Sequence, residues 1–305
     1  MATQSTRLSR LATAKSLTII ASLAALGVPA WVYGQTSPCA STEPPPGAQS
    51  LGYVHRVFCV EPTLADISNK AASSTAKLSN WIWYSKVPAQ MSLFSMSGQV
   101  LVIESGGGVA TQTHQSLPGA LPLLPASTGF YVEFAERLSD NDPDHFPAVW
   151  LMPQEHNGQR QDHVAGDPPD YERWMELDVD EGGFNGGHHG AMINWYGTYP
   201  QYQHQNSSND PPSTFGMDRT QEHIFGLSYD PVGKKVTWWV DGAAVGSAST
   251  ASVPSIVNNY HYYLIMGAQN HGLKHPYKMY LSYFGAWSTG VAPNPPSGVK
   301  AETVP

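Results

Sequence analysis

Short runs of alternating apolar and polar residues follow one another from residue 53 to residue 287. They are rich in aromatic and β-branched side chains, and Gly, Pro, Asn or Asp separates most of them. Such runs predict β-strands, and no stretch has convincing amphipathic helical periodicity. The predicted strands are YVHRVFCV, WIWYS, MSLFSM, QVLVIE, FYVEFAERL, FPAVWLMP, WMELDVDE, AMINWYG, HIFGLSYD, KVTWWVDG, HYYLIMGA and MYLSYFGAW. The pattern therefore predicts an all-β sandwich or jelly roll.

The clearest hairpins lie in the segment SYDPVGKKVTWWVDGAAVG. Residues 230–233, Asp-Pro-Val-Gly, are typical of a turn between two strands, and Asp241-Gly242 is a strong two-residue hairpin signal. The segment therefore predicts three consecutive antiparallel strands.

Composition supports one β-rich domain. Only 13% of the 305 residues are charged, whereas Gly (28), Pro (25), Tyr (15) and Trp (9) are abundant. This balance suits strands and turns better than surface helices. The net charge of -8 provides no basic surface for phosphate contacts, so nucleic acid is not an expected partner.

The N-terminus has the pattern of a targeting segment. Arg7, Arg10 and Lys15 precede an apolar run over residues 16–33, and a polar stretch follows. The run is also just long enough to serve as a membrane anchor. We therefore predict that residues 1–34 are a signal peptide or an N-terminal anchor. Cleavage is favoured, which gives a secreted or periplasmic protein with no membrane association in its mature form.

The remaining boundaries follow composition. Residues 35–50 are Pro-rich and predict a tether, 51–290 form the β-jelly-roll domain, and 291–305 are a Pro-rich tail. The two cysteines, Cys39 and Cys59, both belong to the exported part of the chain. They predict a single disulfide that fixes the first strand rather than builds the fold.

Several common functional motifs are missing. The sequence has no G-x-S-x-G, no phosphate loop ending in Gly-Lys-Ser/Thr, no H-E-x-x-H and no paired C-x-x-C. The glycines at 106–108 lack the third spaced glycine and the following helix of a dinucleotide site. His188-His189 suggests a metal site, but strand neighbours point to opposite faces, which favours an exposed polar loop. We expect no metal and no cofactor.

The most informative segment is ELDVDE, which contains Glu176, Asp178, Asp180 and Glu181. On a regular strand, Glu176, Asp178 and Asp180 share one face and the residues between them turn to the core. Like charges on one face disfavour ionisation of their neighbours, so a functional site is favoured over a structural role. The alternatives are a solvated outer strand and a calcium site built from Asp178, Asp180 and Glu181.

This segment resembles the E-x-D-x-x-E signature of glycoside hydrolase family 16. The flanking segments GFYVEFAERLSDNDPDHFPAVWLMPQE, GAMINWYG, EHIFGLSYDPVGKKVTWWVDG, HYYLIMGAQNHG and MYLSYFGAW resemble the family's strands in the expected order, over residues 53–287. The resemblance implies a concanavalin-like β-jelly-roll sandwich of two antiparallel sheets. It also implies an endo-acting, retaining hydrolase that works through a glycosyl-enzyme intermediate.

The resemblance implies that Glu176 is the nucleophile, Asp178 the assisting residue and Glu181 the general acid/base. A retaining glycosidase needs two carboxyl groups about 5 to 5.5 Å apart. On a regular strand Glu181 would face away from Glu176, so periodicity alone selects Asp180 as the acid/base. A β-bulge after Val179 would bring Glu181 to the correct face, and we follow the resemblance in expecting it.

Aromatic side chains are expected to bind the sugar rings. Trp150 and Trp195 match positions that line the cleft in the family. Trp174 lies two residues before Glu176, so it should share the face of that residue. Asn194 stands where many relatives have histidine and is expected to contact substrate. Each tryptophan has a core-packing alternative.

The substrate is less constrained than the site. No cluster of Arg or Lys flanks the motif, which favours a neutral β-linked polysaccharide over a sulfated one. A β-1,3- or mixed-linkage β-glucan is the first choice and an agarase-type galactan the second. A non-catalytic lectin-like protein and a polysaccharide lyase are the other classes. Ser282 replaces an aspartate that accompanies structural calcium in relatives, which weakens the case for calcium. We expect a monomer.

Overall fold

The described part of the chain covers most of the predicted domain. The computed structural model describes residues 37–68, 81–83, 91–111, 121–156, 166–182, 186–253, 255–269 and 275–290. The predicted signal peptide or anchor and the predicted tail at 291–305 lie outside the described residues. Among the helices in the described ranges, none is long and apolar enough to span a membrane.

Strands dominate the described ranges. They are β1 (His55–Val60), β2 (Ile67–Ser68), β3 (Trp81–Trp83), β4 (Phe94–Ser97), β5 (Val100–Glu104), β6 (Gly108–Thr111), β7 (Leu124–Pro125), β8 (Phe130–Leu138), β9 (Phe146–Pro153), β10 (Tyr171–Glu181), β11 (His189–Thr198), β12 (Gln201–Asn209), β13 (His223–Asp230), β14 (Lys235–Val240), β15 (Ala243–Ser249), β16 (His261–Gln269) and β17 (Lys278–Ser288). The helix α1 spans Pro46–Ser50, and short 3-10 segments span Pro38–Ala40, Leu64–Asp66, Met91–Leu93, Ala126–Thr128, Pro212–Thr214 and Ser255–Asn259.

The strands form two sheets. The first has the order β15-β14-β13-β8-β17-β5-β4, and β1 also pairs with β17. The second has the order β12-β11-β10-β9-β16-β6-β3-β2, and β7 also pairs with β16. Neighbouring strands are antiparallel except for the short parallel pair β2–β3. The prediction of an all-β jelly-roll sandwich with two antiparallel sheets is confirmed.

The largest hydrophobic core among the described residues lies between the sheets. Phe134 and Phe284 of the first sheet and Leu151 and Leu177 of the second are almost fully buried in it. Burial of each such side chain contributes about 1.5–3 kcal/mol to folding. Because side chains alternate along a strand, the residues on either side of Leu177 turn to the other face of the second sheet. We call the core side of this sheet its inner face and the opposite side its outer face.

Both predicted hairpin turns are present. Asp230 ends β13, and its Oδ1 accepts hydrogen bonds from the backbone N–H of Val232 and Gly233, both at 2.9 Å. Asp241 and Gly242 connect β14 to β15 with positive φ angles of 49° and 79°. Two successive positive φ values are typical of the type I′ turn that matches the strand twist.

The predicted tether is packed against the domain from residue 37 onward. Ala48 of α1 is fully buried in a cluster with Tyr131 and Trp239. Cys39 and Cys59 form the predicted disulfide, which attaches this segment to β1. For residues 37–50 the tether prediction is therefore wrong, because the Pro-rich composition concealed one short helix that covers the first sheet.

Strand β12 was not predicted from the sequence. Its residues QYQHQNSSN are nearly all polar, and it pairs with β11 along its full length at the edge of the second sheet. Backbone hydrogen bonds hold an edge strand of this kind, so it needs little apolar burial and leaves little hydrophobic pattern. The strand places Tyr202 and His204 beside the predicted site.

Candidate active site

Strand β10 contains a β-bulge within the ELDVDE segment. Asp178 and Asp180 pair with consecutive residues of β9, so Val179 between them is an extra residue. The pairing with β11 shifts over the interval from Asp178 to Glu181. One extra residue reverses the alternation beyond it. Glu181 is thereby placed on the outer face with Glu176 and Asp178, and Asp180 is placed on the inner face.

Asp180 is engaged in the protein interior. Arg219 Nη2 donates hydrogen bonds to Asp180 Oδ2 at 2.7 Å and to Glu136 Oε1 at 2.6 Å. The side chains of both acids are fully buried. Asp180, the residue that regular periodicity favoured as acid/base, therefore lies on the wrong face to reach a substrate. The physical reason is the bulge, which periodicity does not contain.

Glu176 and Asp178 have different surroundings on the outer face. Trp195 Nε1 donates a hydrogen bond of 2.7 Å to Glu176 Oε2. Asp178 is almost completely buried, and neither of its carboxylate oxygens has a hydrogen-bond donor among the described residues. A hydrogen bond between Asp178 and Glu176 requires that one of the two carboxyl groups carries a proton. Asp178 is suited to hold that proton because it is the more buried of the two.

The pKa values of Glu176, Asp178 and Glu181 are all raised. Burial is the largest cause for each of them. The pKa of Asp178 is raised well above its usual range, with the charges of Glu176 and Glu181 adding to burial. The pKa of Glu181 rises to about 7, with Glu176 and Asp180 adding to burial. For Glu176, the Trp195 hydrogen bond opposes the effect of burial. At neutral pH the cluster therefore retains protons, as acid catalysis requires.

Two adjacent histidines lie next to this cluster. His188 is fully buried and His189 is 5% exposed, so the predicted exposed polar loop is wrong. Their burial follows from β11, which begins at His189 and continues directly into the sheet. His189 Nδ1 lies 2.6 Å from Asp210 Oδ1, while its Nε2 lies 3.9 Å from Glu181 Oε2. The second distance is too long for a hydrogen bond, but it places a polarisable ring beside Glu181. No sequence motif connected these residues.

Trp174 and Trp195 form part of a row of rings on the outer face. Trp174 is parallel to His156, with ring centroids 3.7 Å apart, and to Trp195, with centroids 5.5 Å apart. The ring of Trp195 in turn lies against that of His204, with ring centroids 4.7 Å apart. Because neighbouring rings stack against Trp174 and it is only 6% exposed, little of its surface is open to a sugar ring, and its contact with substrate stays a prediction. Tyr202 completes the row with an edge contact to Trp174 at 4.8 Å.

The two other predicted substrate contacts have different positions. Trp150 pairs with Asp178 and so shares the outer face, where it packs with Tyr263 and is 8% exposed. Asn194 pairs with Met175, whose side chain lies in the core. Directly opposed residues point to the same side of a sheet. Asn194 therefore faces inward, and the prediction that it contacts substrate beside Trp195 is wrong.

Possible metal ligands lie elsewhere in the described ranges. Asp142, Asp144 and His275 have ligand atoms within 4.8 Å of one another. His275 Nδ1 already lies 2.6 Å from Asp142 Oδ2, which accounts for this cluster as a surface ion pair. Ser282, at the position linked to calcium in the resemblance, donates a hydrogen bond to Glu222. None of these residues belongs to the outer-face cluster.

Comparisons with known proteins give matches among solved structures. No protein-family model matches the sequence, and no curated protein matches it. An endo-1,3-beta-glucanase from Streptomyces sioyaensis is similar at 18% identity and a TM-score of 0.48, covering 76% of this chain and 95% of that one. Porphyranase B from Zobellia galactanivorans is similar at 12% identity and a TM-score of 0.47, covering 71% and 89%.

A non-specific endo-beta-1,3(4)-glucanase of family 16 is similar at 15% identity and a TM-score of 0.44, covering 77% of this chain and 91% of that one. Members of glycoside hydrolase family 16 are thus among the similar structures. This is the family that the sequence motifs resemble.

Proposed function

We propose that this protein is a secreted, endo-acting, retaining glycoside hydrolase of family 16. The observation that carries the proposal is the bulge in β10. It sets Glu176, Asp178 and Glu181 on one face of the sheet and removes Asp180 to the interior. This is the arrangement that the E-x-D-x-x-E resemblance requires for its three acids.

In the proposed reaction, ionised Glu176 attacks the anomeric carbon while protonated Glu181 donates its proton to the departing glycosidic oxygen. A covalent glycosyl-enzyme forms on Glu176. Glu181, now ionised, then accepts a proton from the water that hydrolyses this intermediate, and Glu176 is released as a carboxylate. The N–H of Trp195 orients Glu176 and stabilises its charge. Asp178 assists by sharing a proton with Glu176.

A neutral β-1,3- or mixed-linkage β-glucan is the proposed substrate. Two arginines of this region, Arg173 on β10 and Arg219, which binds Asp180, are already paired. Arg173 donates to Asp167 at 2.7 and 2.9 Å, and Arg219 is buried on the inner face. Neither offers a free guanidinium to a sulfate or carboxylate group. An agarase-type galactan is the second substrate candidate.

The first prediction concerns substrate. Purified protein should release reducing ends from laminarin and lichenan, and proton NMR of the fresh product should show the β-anomer first. Agarose and carrageenan complete the panel, and Glu176→Gln serves as the inactive control. Release from agarose alone would assign the enzyme to galactans. Binding without release from any polymer would support the lectin-like alternative and contradict the proposed hydrolase.

The second prediction concerns pH. Because Glu181 must be protonated in the first step, kcat/KM should fall as the pH rises through about 7. Because Glu176 must be ionised and its pKa is raised, the acidic limb should lie above the usual glutamate value of 4.5. Initial rates measured from about pH 4 to about pH 9 test both limbs of the pH profile. A rate that stays constant through the alkaline half would contradict the role of Glu181.

A further inference from the structure

The bulge in β10 is held from its inner side by three buried donors. Trp238 Nε1 donates to the carbonyl oxygen of Asp178 at 2.8 Å, and His188 Nε2 contacts the carbonyl oxygen of Val179 at 2.8 Å. Arg219 Nη2 donates to the carboxylate of Asp180 at 2.7 Å. Three consecutive residues of the bulge are thus each bound by a side chain from a different part of the chain.

These contacts answer a need that the bulge creates. An extra residue interrupts the regular ladder of strand hydrogen bonds, so backbone carbonyl groups near it require other donors. Trp238 and His188 supply those donors from positions that are 1% and 0% exposed. A carbonyl oxygen only accepts hydrogen bonds, so His188 carries its proton on Nε2. Water has little access to replace either donor.

The position of Trp238 depends on Gly190. A Cβ atom at Gly190 would lie 2.2 Å from Trp238 Nε1. Only glycine at this position of β11 therefore lets the indole reach the carbonyl of Asp178.

Arg219 selects between two registers of β10. On a regular strand Asp180 would face outward and Glu181 inward. Arg219 favours the bulged register because it neutralises the Asp180 carboxylate in the interior, where it also pairs with Glu136. Burial alone would lower the pKa of Arg219, but the charges of Asp180 and Glu136 outweigh burial and raise it. The guanidinium is therefore a permanent cation behind the bulge.

We propose that Trp238, His188 and Arg219 are positioning residues that hold the bulge and thereby orient Glu181 toward the glycosidic oxygen. This inference rests on the proposed function, because it assigns Glu181 the role of acid. None of the three touches substrate. They act through the backbone and side chain of residues 178–180.

The third prediction compares two neighbouring tryptophans. Trp238→Phe removes the donor to Asp178 and keeps an aromatic ring. Trp239→Phe makes the same change one residue later, where the indole N–H donates to Ser228 Oγ at 3.2 Å and does not contact the bulge. Trp238→Phe should lower kcat on laminarin roughly ten- to a hundredfold, since small misplacement of a catalytic group has effects of that order. Trp239→Phe should stay within about threefold of the wild type.

A leaving-group test separates positioning from general damage. A 2,4-dinitrophenyl β-laminaribioside needs little acid assistance, because dinitrophenolate departs without a proton. Its burst of dinitrophenolate reports the first step alone. Trp238→Phe should leave the burst rate within about threefold of the wild type while its rate on laminarin falls. Equal losses on both substrates, or equal behaviour of the two tryptophan variants, would overturn the proposal.

Two variants of His188 test the same proposal in case Trp238→Phe does not fold. His188→Leu removes the donor to Val179 and should reproduce the selective loss on laminarin. His188→Gln keeps an N–H donor and should recover most of the rate. Recovery that is no better with Gln than with Leu would contradict the proposal.

The proposed function can fail separately. A wild type that acts on neither laminarin nor the aryl glycoside refutes the hydrolase assignment. Hydrogen exchange then tests the bulge directly, since residues 178–181 should exchange faster in Trp238→Phe than in Trp239→Phe. Equal exchange in the two variants would overturn the structural role as well.

Discussion

Glu176→Gln should lower the turnover of the accepted polymer by a factor on the order of 10⁵, since removal of a covalent nucleophile has effects of that size. The substitution keeps the shape of the side chain and an oxygen that can accept the 2.7 Å hydrogen bond from Trp195. It removes the negative charge that attacks the anomeric carbon and stabilises the oxocarbenium-like transition state. Initial rates of reducing-end release measure the effect.

The matched control for this prediction lies on the other sheet. Glu104 forms a partly exposed ion pair with Lys278 at 2.9 Å, so Glu104→Gln removes one carboxylate charge away from the site. It should leave turnover close to the wild-type value, because exposed ion pairs contribute little. Affinity of Glu176→Gln for the polymer should also persist, since the rings of the outer face are unchanged. A Glu176→Gln variant that keeps a tenth of the wild-type rate would exclude Glu176 as nucleophile.

Hydrophobic alternation predicted the fold because nearly every strand buries one face. Leu177 on β10 is a simple case, since its burial follows directly from the pattern. Turn chemistry predicted the hairpins, because Asp241-Gly242 meets a backbone requirement that is local in sequence. The disulfide between Cys39 and Cys59 followed from their number and cellular context. In each case the residue types and their spacing in the sequence were enough for the prediction.

The elements that escaped prediction depend on distant partners. Strand β12 is held by backbone pairing, which leaves no trace in side-chain hydrophobicity. The burial of His188 depends on the carbonyl of Val179, and Asn194 faces inward because of its register with Met175. The acidic cluster itself was visible, since four carboxylates in six positions suggest chemistry.

The choice between Asp180 and Glu181 as acid/base could not be made from local sequence periodicity. Alternation places Asp180 outward, and no residue within the ELDVDE segment contradicts it. The interaction that turns Asp180 inward comes from Arg219, 39 positions along the chain. Trp238, which binds the carbonyl of Asp178, is 60 positions away. The family resemblance implied the bulge, whereas local periodicity does not predict it.

Arg219→Met should destabilise the protein by about 3–5 kcal/mol, because removing one partner leaves buried charges without compensation. Asp180 and Glu136 would remain in the interior without the guanidinium that now binds both of them. Methionine fills much of the same volume, so the loss reflects charge more than packing. Urea unfolding of both proteins measures the difference in the free energy of unfolding.

The pH dependence of this loss gives the prediction a definite sign. The pKa of Glu136 is raised to about 7. Burial is the largest cause, the charge of Arg219 opposes it, and the charge of Asp180 adds to it. A carboxyl group whose folded pKa lies above its unfolded value of 4.5 favours the folded state most strongly below 4.5. That contribution is lost as the pH rises through about 7. Arg219→Met removes the opposing cation, so its destabilisation should be larger on the alkaline side of that value than on the acidic side.

Arg173→Met provides the comparison. Arg173 also binds an aspartate, Asp167, but it lies at the protein surface with 25% of its side chain exposed. Loss of this partly exposed pair should cost clearly less than loss of the fully buried Arg219 pair at either pH, because solvent screens it. A destabilisation of Arg219→Met that matches the smaller loss of Arg173→Met, or that does not change with pH, would contradict the role of Arg219 as the buried cation that holds Asp180 on the inner face. The bulged register would then need another cause, and Trp238 and His188 would be the remaining residues that hold it.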